Sequence, residues 1–260
     1  MAQAPTMDAP RDSESKVLPL IEHLRELRRR VIVSVLAVVV GIAGSIWPLT
    51  TYVFHYLVVP AQQQLPGFKL HQFALLDYWS TYFRVSLLLG IAIAMPVIIY
   101  QVLAFIAPGL TKTERRWLFG VVGGGSLMFL AGVVFAYYVE LPRLLNFMLT
   151  SDSADVQPTI GVTTYINSVT RILMMTGLIF ETPLIIMGLA KAGLVTSRRL
   201  MKWWRYAVVL SVVVASFLAP SLNPVTPIVV AIPILGLYLL GALLARFVEG
   251  NSLLGGRSSG

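Results

Sequence analysis

The chain has 260 residues, of which 57% are hydrophobic and 12% are charged, about half the charged fraction of a soluble domain. The hydrophobic residues occur in long blocks, as in integral membrane proteins. Cysteine is absent, which excludes disulfides and thiolate metal ligands. The three histidines lie outside the blocks, so no metal site or cofactor is expected. The net charge of +8 arises beside the blocks, which indicates contact with the lipid bilayer rather than with nucleic acid.

A basic amphipathic helix is predicted immediately before the first apolar block. Residues 1–18 are polar and contain prolines and acids, which is typical of a disordered tail. The basic helix then starts at Pro19, and Glu26 lies within its arginine cluster. Two alternatives are open for this carboxylate. It can pair with Arg30 at i,i+4 on its own helix, or it can bind a guanidinium of a ligand bidentately.

The apolar blocks predict an all-α membrane protein with six transmembrane helices in one domain, residues 19–249. The fifth block is short for a bilayer because a helix rises about 1.5 Å per residue. The last two helices are therefore expected to form a short hairpin that thins the bilayer or is re-entrant. Residues 250–260 are rich in Gly and Ser, which predicts a flexible tail. The predicted spans are about 31–52, 79–107, 117–139, 165–191, 206–219 and 227–245.

The distribution of basic residues predicts the orientation of the chain. Nearly all Lys and Arg residues fall in segments that a six-helix topology places on one side of the membrane. Cytoplasmic segments carry the excess of Lys and Arg, so both termini are predicted to be cytoplasmic. The basic residues outside these segments are Lys69, Arg84, Arg143 and Arg171.

Three polar features are candidates for function, and no catalytic motif accompanies them. Glu114 precedes Arg115 and Arg116 in a cytoplasmic loop, where it either suits the N-terminal dipole of a helix or belongs to a ligand site. Glu181 lies in the fourth apolar block, where a carboxylate is costly and by default faces protein or water. The alternative for Glu181 is a buried structural hydrogen bond. Arg171 lies about 15 Å from it along the helix, so both are predicted to line one water-filled concavity without touching.

Several motifs together resemble the TatC family, the membrane receptor subunit of the twin-arginine protein translocase. They keep the order and spacing of the family over about residues 17–249. The N-terminal signature contains Glu26, and the block after the second span contains Glu114. The motifs are PLIEHLRELRRR at 19–30, PVIIYQ at 96–101, FIAPGL at 105–110, ERR at 114–116, FAYY at 135–138 with Pro142, FETP at 180–183 and AIP at 231–233.

The resemblance implies a six-helix, glove-shaped protein of the cell inner (plasma) membrane that binds twin-arginine signal peptides of folded cargo proteins. It also implies recruitment of the single-span subunits TatA and TatB, a homo-oligomeric receptor complex and transport driven by the proton-motive force. The site residues that it implies are Glu26, Glu114, Arg28, Arg116 and Phe105 for the signal peptide, and Glu181, Arg171 and Tyr137 for the groove.

The chain departs from the family pattern mainly in its final hairpin, which leaves the docking of partner subunits there open but does not affect the signal site. A second alternative is a proton-coupled secondary transporter of a small solute with Glu181 as its proton site, although no internal repeat supports it. A passive scaffold would leave Glu26 and Glu114 without a role. The departures are Asn223 for Asp, Pro227 for Gln, Leu239 for Glu and, in the second span, Leu103 for Trp.

Overall fold

Helices make up nearly all of the computed structural model, and the part of the chain that it describes contains no β-strand beyond one isolated bridge. The predicted all-α fold is therefore confirmed. The described segments are 14–46, 48–64, 69–106, 112–150, 160–191, 193–218 and 225–255. Side chains are described at 21–46, 49–64, 69–105, 120–146, 160–191, 193–218, 227–228 and 230–249.

The helices follow the apolar blocks of the sequence. They are α1 Glu14–Ser45, α2 Pro48–Gln64, α3 Asp77–Ile106, α4 Lys112–Phe135, a π-helical turn Ala136–Glu140, α5 Leu141–Thr150, α6 Val162–Phe180, α7 Thr182–Lys191, α8 Ser197–Lys202, α9 Trp204–Leu218 and α10 Val225–Gly255.

The lengths and composition of these helices fit a multi-span membrane protein. Within the described segments, four stretches are long and apolar enough to cross a membrane. The bent pair α1 and α2 would make a fifth, and α9 is a shorter apolar helix. The count is consistent with six crossings, of which α9 is the short one. The four long stretches are Asp77–Phe105, Gly120–Asn146, Val162–Lys191 and Val230–Glu249.

The chain bends by 84° between α1 and α2, and this break falls inside the first predicted span, 31–52. Hydropathy does not detect this break, since the apolar block continues across it. Pro48 starts α2, where its missing N–H is not needed. Side chains satisfy the carbonyls at the break. Thr50 Oγ1 donates to the Ser45 carbonyl at 2.9 Å, and the Tyr82 hydroxyl donates to the Ile46 carbonyl.

Both predicted tails are shorter in the structure than in the sequence analysis. Helix α1 begins at Glu14 and α10 ends at Gly255, so residues 14–18 and 250–255 are helical. Residues 1–13 and 256–260 lie outside the described segments.

Helices α1 and α3 pack against each other in antiparallel directions. Arg30 of α1 hydrogen-bonds Gln101 near the end of α3, and Ser45 lies 3.5 Å from the Ser86 carbonyl oxygen near its start. Midway, a Cβ on Gly41 would lie 2.6 Å from the carbonyl oxygen of Gly90. Glycine is therefore required there for the two backbones to approach so closely. We call the end with the α1 arginines the basic end.

At the opposite end, which we call the distal end, the starts of α3 and α6 are joined. The His71 amide donates to the Ile160 carbonyl at 3.1 Å, and the Val162 amide donates to the His71 carbonyl at 2.9 Å. The Tyr165 hydroxyl also donates to the Leu57 carbonyl of α2 at 2.8 Å. These bonds fasten α2, α3 and α6 over one apolar core.

Helices α7 to α10 form the remaining part of the bundle. Glu249 of α10 accepts hydrogen bonds from the amide and the hydroxyl of Ser197 at 2.6 and 2.7 Å. The Tyr238 hydroxyl donates to the Leu200 carbonyl at 2.8 Å. Both contacts hold α10 against α8, and the Glu249 contact joins two segments, 191–205 and 246–260, that the sequence predicts to share one side of the membrane.

Candidate functional site

Glu26 lies on α1 just before the apolar block that begins at Val31. Arg30 Nε donates to Glu26 Oε1 at 3.1 Å, and Arg30 Nη2 donates to the same oxygen. The i,i+4 pair, the first alternative of the sequence analysis, is thus present. Oε2 accepts no hydrogen bond from a described side chain, and His23 Nδ1 lies 3.9 Å from it. With 35% of its side chain exposed, Glu26 can accept a further donor.

The electrostatics of Glu26 favour a charged carboxylate. The hydrogen bond from Arg30 is the largest cause that holds the pKa of Glu26 below its ordinary value, and the charge of Arg30 acts in the same direction. Because the group precedes the apolar block, water reaches it. At neutral pH the site therefore offers a negative charge to a cationic ligand.

Contacts between α1 and α3 fix the position of this carboxylate. The His23 ring stacks on Phe105 with ring centroids 4.4 Å apart, and Arg30 Nη1 donates to Gln101 Oε1 at 3.4 Å. The structure therefore brings Glu26 and Phe105 to the same end of the bundle, as the predicted signal site requires. Arg28 is exposed on the same helix.

The second predicted carboxylate, Glu114, lies at the third position of α4, which begins at Lys112. This position suits the helix-dipole alternative as well as a ligand site. The side chains of Glu114 and Arg116 lie outside the described residues, so their part in the site stays a prediction.

Glu181 occupies the turn between α6 and α7 and is only 5% exposed. Its Oε2 lies 3.1 Å from the point where a Cβ on Gly125 would stand. Its Oε1 is buried with no hydrogen-bond partner among the described residues. Of the three adjacent glycines in α4, Gly125 leaves the room that this carboxyl group occupies, whereas Gly123 and Gly124 face open space. An intramembrane carboxylate with an unsatisfied oxygen is typical of a functional group.

The other two predicted groove residues, Arg171 and Tyr137, have different neighbours from Glu181. Arg171 is exposed and lines a cavity between α3 and α6, whose lining does not include Glu181. Glu181 is buried beside Gly125 of α4, so the concavity that the sequence predicts for Arg171 and Glu181 stays a prediction. The Tyr137 hydroxyl donates to the Tyr56 carbonyl of α2 at 2.8 Å. That carbonyl lacks its helical donor because Pro60, four residues later, has no N–H.

Sequence reasoning missed one intramembrane carboxylate. The predicted third span, 117–139, ends just before Glu140, but Glu140 lies in the π-helical turn inside the stretch Gly120–Asn146. Its Oε2 accepts a hydrogen bond from Thr176 Oγ1 of α6 at 2.7 Å. The signal was the amphipathic run after Pro142, which shows that the helix continues past Glu140. Such π-helical turns are frequent at functional sites.

These observations define an all-helical, multi-span membrane protein with a solvated carboxylate at its basic end and, inside its helices, the buried Glu181 and the partly buried Glu140. A sequence model of the family TatC, Sec-independent protein translocase protein, matches residues 22–233. The chain therefore belongs to the TatC family. The secondary-transporter alternative is not favoured by this membership.

Individual relatives agree with the family match. The chain is 38% identical over 233 residues to the chloroplastic Sec-independent protein translocase protein TATC of Arabidopsis thaliana, covering 90% of this chain and 68% of that protein. It spans 65% of the corresponding protein of Pisum sativum. It is 34% identical to TatC of Aquifex aeolicus, covering 88% of this chain and 95% of the relative.

Solved structures show the same fold. A crystal structure of the twin-arginine translocase receptor TatC superposes with a TM-score of 0.75 and 32% identity, covering 87% of this chain and 99% of that chain. A second one, in DDM, superposes with a TM-score of 0.77 and 33% identity, covering 86% and 99%. The departures at Pro227, Leu239 and Leu103 therefore leave the fold intact.

Proposed function

We propose that this chain is the receptor of a twin-arginine translocase and that Glu26 and Glu114 bind the paired arginines of signal peptides. The observation that carries the proposal is the open Oε2 of Glu26. Arg30 occupies only Oε1, so an incoming guanidinium has a charged acceptor at the surface. Charge-assisted bonds to guanidinium groups are geometrically specific, which disfavours lysine.

The surroundings of Glu26 suit a short peptide. Phe105, stacked on His23, provides an aromatic surface beside the carboxylate, and arginine stacks favourably on such rings. Arg28 and, by the resemblance, Arg116 complete the site and oppose peptides with surplus positive charge. The apolar part of the signal would then pass from this end toward the bundle.

Glu181 is proposed to act after the signal has docked. Its buried, unsatisfied oxygen gains a hydrogen bond when a polar group enters between α4 and α7, for example from a single-span subunit such as TatA or TatB. Assembly with these subunits, a homo-oligomeric receptor complex and proton-motive-force-driven transport complete the proposal. The chain would reside in the inner (plasma) membrane with both termini in the cytoplasm.

Binding of a synthetic twin-arginine peptide to the full chain in nanodiscs tests the signal site. Glu26→Gln and Glu114→Gln should each weaken binding by about tenfold, and the double variant should no longer distinguish the peptide from its twin-lysine version. Glu22→Gln is the matched control, since Glu22 is an exposed acid on the same helix. If both single variants bind the peptide as the unmodified chain does, the assigned site is wrong.

A further inference from the structure

A cavity of about 480 Å³ opens between α3 and α6 near the distal end. It contains two arginines, Arg84 from α3 and Arg171 from α6, each of them exposed. The signal site at the opposite end of α3 does not include it.

The two arginines lie at similar depths. The bridge between His71 and Gly161 joins the chain just before α3 to the chain just before α6, so both helices start at the distal end. At a rise of about 1.5 Å per residue, Arg84 lies roughly 10 Å and Arg171 roughly 14 Å beyond these starts. Their guanidinium groups therefore enter the cavity from facing helices at the same level.

Aromatic residues place this level close to a membrane surface. Tyr78 and Trp79 contact each other with ring centroids 6.2 Å apart, and Tyr82 lies 6.4 Å from Trp79. Tyr and Trp are enriched where the bilayer meets water. Arg84 follows this cluster by about one turn, so its long side chain can reach the level of the lipid headgroups.

The charge of the cavity lacks a partner among the described side chains, since none of their carboxylates lies within 4.0 Å of either guanidinium. Two cations in a cavity beside lipid repel each other and are costly to desolvate. A bound anion removes both costs. The apolar wall of Phe83, Leu87 and Met174 adds a surface that a hydrocarbon chain can cover.

We propose that this cavity binds the phosphate of an anionic phospholipid in the leaflet at the distal end. The guanidinium groups of Arg84 and Arg171 donate to its phosphate oxygens, and one acyl chain lies along Phe83, Leu87 and Met174. A lipid fits better than a soluble anion because the polar and apolar parts of the lining match the two parts of a phospholipid.

The test measures lipid preference by native mass spectrometry of the full chain released from vesicles of phosphatidylcholine with a minor fraction of phosphatidylglycerol. The unmodified chain should retain phosphatidylglycerol preferentially. Arg84→Gln/Arg171→Gln should lower that preference by about tenfold or more. Arg84→Lys/Arg171→Lys should lose part of it, since lysine keeps the charge but not the bidentate geometry.

The matched control is Lys69→Gln/Arg143→Gln, which removes the same charge from residues outside the cavity lining. Equal loss in this control would overturn the proposal, because it would show attraction to surface charge alone. A second experiment adds inorganic phosphate, which tests whether a soluble anion binds in place of the lipid. If phosphate alone raises the unfolding temperature and displaces phosphatidylglycerol, the occupant is a soluble anion and the lipid proposal is wrong; retention of the lipid in phosphate supports it.

Discussion

Glu26 and Glu181 are carboxylates in opposite surroundings. Glu26 is partly exposed at the basic end and pairs with Arg30 through one oxygen. Glu181 is 5% exposed between α4 and α7, and one of its oxygens has no described partner. The first is hydrated and already ordered by a neighbour. The second is buried, and its Oε1 has lost water without gaining a hydrogen-bond partner among the described residues.

This difference indicates how each group responds to a ligand. A guanidinium that reaches Glu26 replaces water on an ordered acceptor, so the gain is moderate and the exchange is reversible. A polar group that reaches Glu181 satisfies an atom that is already desolvated, and an unmade hydrogen bond in such a place is costly. Under the proposed function, the basic end would select the ligand and the interior carboxylate would act in a later step.

The largest effect is expected from Gly41→Val, which disrupts the packing of α1 against α3 that holds Glu26 in place. A side chain there meets the backbone of Gly90, which cannot move aside. We expect a loss of about 3 kcal/mol in unfolding free energy and of peptide binding, because α1 separates from α3. The control is Gly44→Val, which meets no atom within 4 Å. Thermal unfolding in detergent measures both, and equal stability of the two variants would contradict the close approach.

A smaller effect, of opposite sign, is expected at Glu181. Glu181→Leu removes the unsatisfied buried oxygen and should stabilise the chain by about 1–3 kcal/mol while abolishing transport into vesicles. Glu181→Gln separates two roles. It should retain transport if the group provides a hydrogen bond, and lose it if the group exchanges protons. Normal transport by Glu181→Leu would show that the carboxylate is structural only.

Tyr137→Phe tests whether a half-buried hydroxyl that has a hydrogen-bond partner behaves differently from Glu181. The variant leaves the Tyr56 carbonyl without a donor, so we expect a loss of about 1 kcal/mol in unfolding free energy. Tyr138→Phe is the matched control, since that side chain is 70% exposed. Indistinguishable denaturation curves for the two variants would show that the hydrogen bond of Tyr137 does not contribute to stability.

The smallest effect concerns Arg30→Gln. Removing the intrahelical partner frees Oε1 of Glu26, so twin-arginine peptide should bind about twofold more tightly at neutral pH. Because Arg30 holds the pKa of Glu26 down, the variant should also lose binding at a higher pH when the solution is acidified. A peptide titration repeated from neutral to acidic pH measures both changes. Weaker binding at neutral pH would instead assign Arg30 to the ligand site.

The sequence predicted the helices where an apolar block ends at a polar boundary. Helix α3 spans Asp77–Ile106 against a predicted span of 79–107, and α9 spans Trp204–Leu218 against 206–219. It failed at the break before Pro48, since hydropathy records composition and not direction. The tight contact of Gly41 with Gly90 was also beyond reach because it depends on the register of two helices.

For the candidate site, local chemistry was predictable and spatial relations were not. The pairing of Glu26 with Arg30 follows from their i,i+4 spacing. Whether Arg171 and Glu181 share one concavity does not, because it depends on which neighbouring helix each residue faces. Glu140 was missed because a polar residue at the end of an apolar run looks like the start of a loop. In the structure the helix continues through Glu140 by a π-helical turn.

The bridge between His71 and Gly161 can form only after the chain between these residues has been synthesised. Its two strands of chain lie far apart in sequence, and at roughly 5–20 residues per second the ribosome needs on the order of 5–20 s to make the chain between them. During that interval α3 and α4 are synthesised while the His71 amide still lacks the Ile160 carbonyl. A nascent chain therefore passes through a stage in which its early helices exist but the hydrogen bonds between the chain before α3 and the chain before α6 have not formed. Synthesis of the chain up to α6 ends that stage.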